Sequence, residues 1–298
     1  MGIKRVLPKR AYLLHLTHYD PVWFKAKPRE RPFDLDLALE IVEALAEERF
    51  TLLVVDCADA LAYRSHPEFA RRYTVPMKQL EAITAAARTR GLDVAPKLNF
   101  SRSEINTHNH WQRAAGEHWY SHFDDAYWWK TAFECADEVI AACGATGYFH
   151  VGMDEDTERS YTQYCEVVKG LRSGLKQRKL RMLMWNDTGI KYASGMLHHE
   201  KSLAAERSGP KDIIHVLWQY GTVPVDDIAR IRTAGYELWG APGWKKPEQA
   251  IGFRDSVAHA GGKGLLMTTW MPCQPKHRPT LLDGIRAMGP IYRGENQQ

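Results

Sequence analysis

The sequence predicts an α/β fold, a single (β/α)8 TIM barrel that occupies about residues 11–290 of the 298-residue chain, with short tails at the ends. Three observations predict it. Short apolar runs alternate with longer segments in which apolar residues recur every three or four positions. Eight such units in about 250 residues match the size of this barrel. Finally, residues 18–21 after the first run lack the glycines of the phosphate turn found in open doubly wound sheets.

The eight short runs are rich in Val, Ile, Leu and aromatic residues, as expected of strands buried on both faces. They are residues 12–17, 52–57, 92–100, 148–152, 181–185, 213–220, 236–241 and 264–270. Because helical segments separate them, we expect parallel pairing with helical crossovers.

Six segments between these runs have the apolar spacing of helices. They are residues 34–48, 76–90, 124–143, 157–176, 224–234 and 247–260. In the first, Leu35, Leu39 and Val42 fall on one face. In the second, Pro76 suits the first helical turn and Gly91 suits the end of the helix.

Composition and charge exclude several classes of protein. Apolar residues make up 44% of the chain and charged residues 26%, which is ordinary for a globular protein. The net charge of +4 is small and its basic residues are scattered, so we expect no nucleic-acid partner. No apolar run approaches the about 20 residues of a membrane helix, and we expect no membrane association.

The five cysteines are an odd number without metal-ligand spacing, which favours buried thiols in a reducing compartment. The basic N-terminus lacks the apolar stretch of a signal peptide, so we expect a cytoplasmic protein. A secreted or periplasmic protein whose leader had been removed would show the same pattern. The sequence does not determine the oligomeric state.

In a barrel of this type the site lies at the carboxyl ends of the strands. Polar and aromatic residues close or directly follow most of the predicted strands, and these are the candidates for substrate contact. They are His18, Asn99, His150, Trp185, Asp187, Trp218, Tyr220, Trp244 and Trp270. A long connection over residues 101–123 adds histidines and aromatics. Indole faces stack on sugar rings, so this rim predicts a carbohydrate pocket.

The most specific feature is the run from Tyr148 to Glu155, in which an apolar strand leads directly into two adjacent carboxylates. Asp154 and Glu155 could simply favour the dipole of a following helix. Their context, His150-x-Gly152-x-Asp154-Glu155, indicates more, because Gly152 lets the backbone turn tightly at the active end of the fourth strand.

This segment resembles the signature of family 20 glycoside hydrolases, the β-N-acetylhexosaminidases, with Met153 in place of the second glycine. Residues 73–76 and 90–96 are similar to the family's approach to its third strand. The resemblance covers nearly the whole chain and implies a catalytic (β/α)8 barrel that needs neither cofactor nor metal. It implies an N-acetylated glycan as substrate and substrate-assisted retaining hydrolysis.

The resemblance also implies roles for individual residues. Glu155 would be the general acid and base, and Asp154 would orient the acetamido group of the sugar. Tyr220 would donate a hydrogen bond to the acetamido oxygen. The tryptophans that would close the pocket are Trp185, Trp218 or Trp244, and Trp270.

Three departures from the family concern the groups that bind sugar hydroxyls. The first strand lacks the family's arginine, Thr222 stands where an aspartate is usual, and residues 96–100 lack the acidic residue that follows the third strand. The preferred sugar configuration, exo or endo action and the need for an acetamido group therefore stay open.

Two other functions fit parts of the sequence. The spacing His15-x-x-His18-x-Asp20, together with His108-x-His110, would suit a metal-dependent sugar isomerase or hydrolase. His15 and His18 cannot both face the interior of an ideal strand, because side chains alternate. A non-catalytic carbohydrate-binding barrel is the other alternative, since a fold alone does not establish activity.

Overall fold

Eight parallel strands close into a barrel in the computed structural model, which describes residues 6–17, 33–70, 74–103, 124–190 and 197–295. Each strand pairs with its neighbours in the sequence, and the last strand pairs with the first. The strands are β1 (Lys9–His15), β2 (Leu52–Asp56), β3 (Asp93–Lys97), β4 (Tyr148–His150), β5 (Arg181–Asn186), β6 (Ile214–Trp218), β7 (Glu237–Ala241) and β8 (Gly264–Pro272). The predicted (β/α)8 barrel is thus confirmed.

Helices connect successive strands around the outside of the barrel. In the described residues they are α1 (Leu35–Glu47), α2 (Met77–Thr89), α3 (Ala126–Cys143), α4 (Tyr161–Gln177), α5 (Leu197–Ser208), α6 (Val225–Thr233), α7 (Pro247–His259) and α8 (Arg278–Tyr292). Side chains cap several of them, which satisfies backbone N–H groups that a helix leaves unpaired. The Asp125 carboxylate accepts from the Trp128 N–H at 2.9 Å, and Ser160 and Gln163 form a capping box.

Helices α5 and α8 were not predicted. The α5 segment lacks an apolar stripe, because its first turns contain His198, His199 and Lys201. In α8, Pro290 lies inside the helix together with two glycines, Gly284 and Gly289, a composition that usually interrupts a helix. Helix α4 begins at Tyr161, four residues later than predicted, because the preceding residues form a loop at the mouth of the barrel.

Side chains alternate between two apolar layers. One set points into the barrel and includes Leu13, Val54, Leu183, Ile214 and Trp239. The other set packs between the strands and the surrounding helices. Toward the amino ends of the strands, Tyr148 packs edge-on against Trp239, with ring centroids 5.4 Å apart. The interior is therefore filled at that end, and polar side chains collect at the other.

Two short strands, Leu61–Ala62 and Val75–Pro76, pair with each other outside the barrel. All five cysteines are free thiols, and four of them are buried, as the composition predicted. Within the described residues, every helix is too short or too polar to cross a membrane.

Candidate active site

The carboxyl ends of the strands bring most of the predicted site residues together. Strand β4 leads into a loop of residues 151–160, hereafter the β4 loop, which carries Asp154 and Glu155. Asn99 follows β3, Asp187 follows β5, and Tyr220 lies two residues beyond β6. His18 lies outside the described residues, as do Asp20, His108 and His110.

The β4 loop begins with an unusual backbone. Gly152, Met153 and Glu155 all have positive φ, at 70°, 70° and 53°. A β-carbon on Gly152 would lie 2.1 Å from Asn99 Oδ1, so only glycine fits there. A non-glycine residue in this conformation is strained and is found most often at functional sites. Two contacts hold the loop in place: the Tyr164 hydroxyl donates to the Met153 carbonyl, and the Glu155 N–H donates to Asp187 Oδ2, both at 2.7 Å.

Asp154 is 3% exposed, and Asn99 fixes its orientation. Asn99 Nδ2 donates to Asp154 Oδ1 at 2.8 Å. Asn99 Oδ1 accepts from the Met153 N–H at 3.1 Å and from the Ser101 backbone and hydroxyl at 3.1 and 2.8 Å. Because these donors identify the amide oxygen, the NH2 group must face the carboxylate. Asn99 therefore links β3 to the β4 loop and positions Asp154.

Glu155 is partly exposed, in contrast to Asp154. Its backbone is held by Asp187, which is 1% exposed. Asp187 Oδ2 accepts from the Glu155 N–H, and Asp187 Oδ1 accepts from Trp218 Nε1 at 2.8 Å. Burial and the nearby Asp154 charge raise the pKa of Asp187 well above its usual range. Both oxygens of Asp187 are thus used in positioning its neighbours.

His150 is a buried neutral imidazole below the β4 loop. Burial, assisted by the charge on Lys97, lowers its pKa to about 3. Its Nδ1 accepts from the Gly152 N–H at 3.0 Å, so the proton must sit on Nε2. That buried Nε2 has no hydrogen-bond partner among the described residues, and the ring lies 4.5 Å from Trp185.

Aromatic residues of β5, β6 and β8, and Tyr220 after β6, also lie toward this end of the barrel. Trp270 Nε1 donates to the Tyr220 hydroxyl at 2.8 Å, and the Trp185 ring lies 6.1 Å from the Trp270 ring. Trp218 lies 5.4 Å from Tyr220. Burial, with the nearby Asp154 and Glu155 charges as lesser contributors, raises the pKa of Tyr220, so its hydroxyl keeps its proton. Trp244, Tyr220 and Trp270 all line a cavity of about 450 Å³.

A buried ionic cluster lies at the ends of β1, β2 and β3, and the pairing that forms it was not predicted. The Lys97 side chain is 0% exposed, and its Nζ donates to Asp56 Oδ2 at 2.8 Å. His15 Nδ1 lies 3.3 Å from the same oxygen, and its ring lies 5.1 Å from Trp270. The signal in the sequence was Lys97 itself, a lysine between apolar residues at the carboxyl end of β3.

A second buried cluster, also missed, closes the far end of the β4 loop. Asp156 Oδ2 accepts from Arg159 Nη1 at 2.6 Å and from the Arg102 N–H at 2.8 Å, while Lys201 Nζ donates to Asp156 Oδ1 at 3.1 Å. Arg159 also forms a bidentate pair with Asp124 at 2.8 and 2.9 Å. Asp156 therefore ties the β4 loop to α5 and has a structural role.

The metal-dependent alternative gains no donor cluster from the described residues. Within the described ranges, no three His, Cys, Asp or Glu side chains group as metal ligands. Most of the donors that the sequence suggested for that alternative lie outside those ranges.

Comparisons with known proteins agree with the architecture. No protein-family model matches the sequence, and no curated protein matches it significantly. A solved β-N-acetylhexosaminidase of glycoside hydrolase family 20 from Streptomyces coelicolor A3(2) superposes with a TM-score of 0.71 at 12% identity, covering 98% of this chain and 65% of that protein. The family 20 exo-β-N-acetylglucosaminidase from Vibrio harveyi, solved with N-acetylglucosamine, gives 0.69 at 11% identity, covering 98% and 55%.

Dispersin B gives a TM-score of 0.57 at 13% identity, covering 95% of this chain and 98% of that protein. This chain therefore spans nearly all of dispersin B but only between half and two thirds of the other two proteins. At identities this low, the similarity establishes the fold. The chain has the catalytic-barrel fold of family 20 glycoside hydrolases, the family that its Asp154–Glu155 motif resembles.

Proposed function

We propose that the protein is a glycoside hydrolase that removes β-linked N-acetylhexosamine, with the acetamido group of the substrate as nucleophile. One observation carries this proposal. A buried, oriented carboxylate, Asp154, lies beside a partly exposed one, Glu155, at the same end of the barrel as the hydrogen-bonded Tyr220–Trp270 pair. An N-acetylated sugar needs these three functions together: an acid for the leaving oxygen, a fixed charge at the acetamido N–H and a donor at its carbonyl oxygen.

Glu155 acts as the general acid and base. It gives its proton to the glycosidic oxygen while the acetamido oxygen attacks C1 and the bond to the leaving group breaks. Water then attacks C1 of the cyclic intermediate, Glu155 takes a proton from that water, and the acetamido group is released. Partial exposure of Glu155 suits this role, because the residue must meet both the leaving group and water.

Asp154 accepts the acetamido N–H and offsets the positive charge of the intermediate. Its contact with Asn99 fixes the carboxylate before substrate arrives, so no reorganisation is needed during reaction. Tyr220 accepts from Trp270 Nε1, which leaves its own proton free to bind the acetamido oxygen. Asn99, His150 and Asp187 are buried beneath these groups, and we assign them positioning roles.

The remaining carboxylates near the strand ends favour substrate assistance. An ordinary retaining glycosidase needs a second carboxyl group about 5–5.5 Å from the acid. Asp187 uses both oxygens to hold Glu155 and Trp218, and Asp56 is buried against Lys97. The sequence from Leu238 to Gly243, at the end of β7, contains no carboxylate.

Glu155→Gln tests the acid role. We expect turnover of aryl β-N-acetylglucosaminides to fall at least about 100-fold for poor leaving groups and less for good ones, which need little protonation. Glu166→Gln, an exposed substitution of the same kind on α4, is the control. Equal losses for good and poor leaving groups would remove Glu155 from this role.

A thiazoline analogue of N-acetylglucosamine tests substrate assistance, because it mimics the cyclic intermediate. We expect inhibition, and we expect Asp154→Asn to weaken both thiazoline binding and turnover. Tyr220→Phe should act in the same direction but less, since it removes one hydrogen bond and no charge. Turnover of plain glucosides that is insensitive to thiazoline would refute the mechanism.

A further inference from the structure

The 450 Å³ cavity is lined by residues of β8, by residues that follow β6 and β7, and by Gln249 of α7. Tyr220 and Trp270 line this cavity and also belong to the proposed acetamido pocket, so the two regions adjoin. Trp244 adds a third aromatic ring to its wall. Flat apolar walls of this kind suit the face of a sugar ring.

A buried amide gives this cavity a fixed hydrogen-bond acceptor. Gln249, on α7, is 5% exposed and lines the cavity. Its Nε2 donates to the carbonyl oxygens of Gln219 and Thr222, at 2.6 and 3.2 Å, and these two acceptors identify the nitrogen. Its Oε1 is buried with no hydrogen-bond partner among the described residues. A hydroxyl group of a ligand would satisfy that oxygen.

The charged residues that line the cavity are both basic. Lys245 and Lys246 are exposed at its mouth, and neither has an ion-pair partner in the part of the chain that the structure describes. None of the described lining residues carries a carboxylate; Glu248, in the first turn of α7, is exposed and is not part of the lining. Lys245 Nζ lies 5.9 Å from the Trp244 ring, which places its charge beside the aromatic wall.

The proposed catalytic site and the cavity therefore carry opposite charges: Asp154 and Glu155 belong to the site, and the two lysines line the cavity. A sugar with a negative substituent is oriented by this arrangement, because its anion is drawn toward the lysines and repelled by the acid pair. We propose that the cavity binds an anionic substituent, a sulfate or a carboxylate, on an N-acetylated saccharide. This inference rests on the proposed function and specifies its substrate class.

The test compares the binding of three sugars to the intact protein by calorimetry or ligand-observed NMR. N-acetylglucosamine is the neutral reference. N-acetylglucosamine 6-sulfate carries its anion at O6, and N-acetylmuramic acid carries a carboxylate on the substituent at O3. We expect at least one anionic sugar to bind about 5- to 30-fold more tightly than the reference, the range given by two exposed ion pairs. The anionic sugar that binds more tightly than the reference identifies the side of the ring that faces the lysines.

Lys245→Gln/Lys246→Gln should abolish that preference, and salt should weaken it in the native protein. Lys169→Gln/Lys263→Gln is the matched control, since it removes the same charge from exposed positions on α4 and at the amino end of β8. The inference is overturned if neither anionic sugar binds more tightly than the reference, or if the preference survives loss of Lys245 and Lys246.

Parallel assays with aryl β-N-acetylglucosaminides separate this inference from the proposed function. Hydrolysis of the neutral substrate without a lysine-dependent preference for anions overturns the anion site alone. Lysine-dependent binding without hydrolysis of either the neutral aryl glycoside or its 6-sulfated counterpart supports the anion site and overturns the proposed function.

Discussion

Replacing Lys97 by methionine should destabilise the barrel strongly although it removes only one charge. The Lys97 and Asp56 side chains are 0% and 3% exposed, and they meet at 2.8 Å across neighbouring strands. Methionine keeps the unbranched shape and leaves the Asp56 carboxylate buried without its cation. Breaking a buried pair in this way costs about 3–5 kcal/mol. The entropy of unfolding of a 298-residue domain is about 0.6 kcal/mol per kelvin, so the melting temperature should fall by roughly 5–8 °C.

The loss should depend on pH. Burial opposes the charge on Asp56, but Lys97 and His15 outweigh it and hold the pKa of Asp56 well below its usual range. The stabilisation from Asp56 is therefore present above the unfolded pKa of about 3.9 and is lost as pH falls through the folded value. Without Lys97, burial raises that pKa, and protonation relieves the penalty. The difference between variant and native protein should thus be largest near pH 7 and shrink toward pH 4.

Melting followed by tryptophan fluorescence at pH 7 and pH 4 measures both effects. Lys97→Met/Asp56→Asn removes both charges and should recover most of the loss. Lys9→Met is the matched control, because its pair with Asp93 at 3.1 Å is largely exposed and contributes at most about 1 kcal/mol. A melting temperature of Lys97→Met within the range of the Lys9→Met control, or no recovery in the double variant, would refute this reasoning.

Two further substitutions test how the β4 loop is held. Gly152→Ala should lower the free energy of unfolding by about 2–5 kcal/mol and abolish most turnover, because the new methyl group displaces Asn99 and φ stays positive. Gly91→Ala is the control, because Gly91 has a φ of 79° and open space around it, and it should lower the free energy of unfolding by only about 1–2 kcal/mol. Equal losses of stability in the two variants would contradict the steric argument. Asp187→Asn should lower kcat about 10- to 100-fold. The amide nitrogen cannot accept a hydrogen bond, so either the Glu155 N–H or Trp218 Nε1 loses its acceptor. An unchanged kcat would show that Asp187 does not position Glu155.

The order of elements was predictable because strands and helices have different apolar periods. All eight predicted strands are present, with ends that differ by a few residues. Two helices were not predicted, because the sequence of α5 is polar and that of α8 contains proline and glycine. These segments are helical because they close the ring of crossovers around the barrel, and single-sequence patterns do not contain that information.

The site was predictable to a similar degree. Convergence of the strand ends brings Asp154, Tyr220 and Trp270 to one region, because a barrel places all its carboxyl ends on one face. The burial of individual side chains was not predictable, because neither composition nor spacing indicates that His150 and Asp187 lie beneath the surface. Likewise, the burial of Lys97 is explained only by Asp56 on the neighbouring strand. The sequence of a single strand does not show that partner.

The pairing of β8 with β1 also brings the two ends of the described chain together. The Lys9 N–H donates to the Lys263 carbonyl at 3.0 Å, and a β-carbon on Gly294 would lie 3.6 Å from the Val6 Cα. A short linker could therefore join these ends, and the chain could be reopened at the turn around Gly91, on the face away from the site. In such a circular permutant every strand would keep both neighbours. The barrel is then specified by the cyclic order of its eight units, and any of several units could be synthesised first.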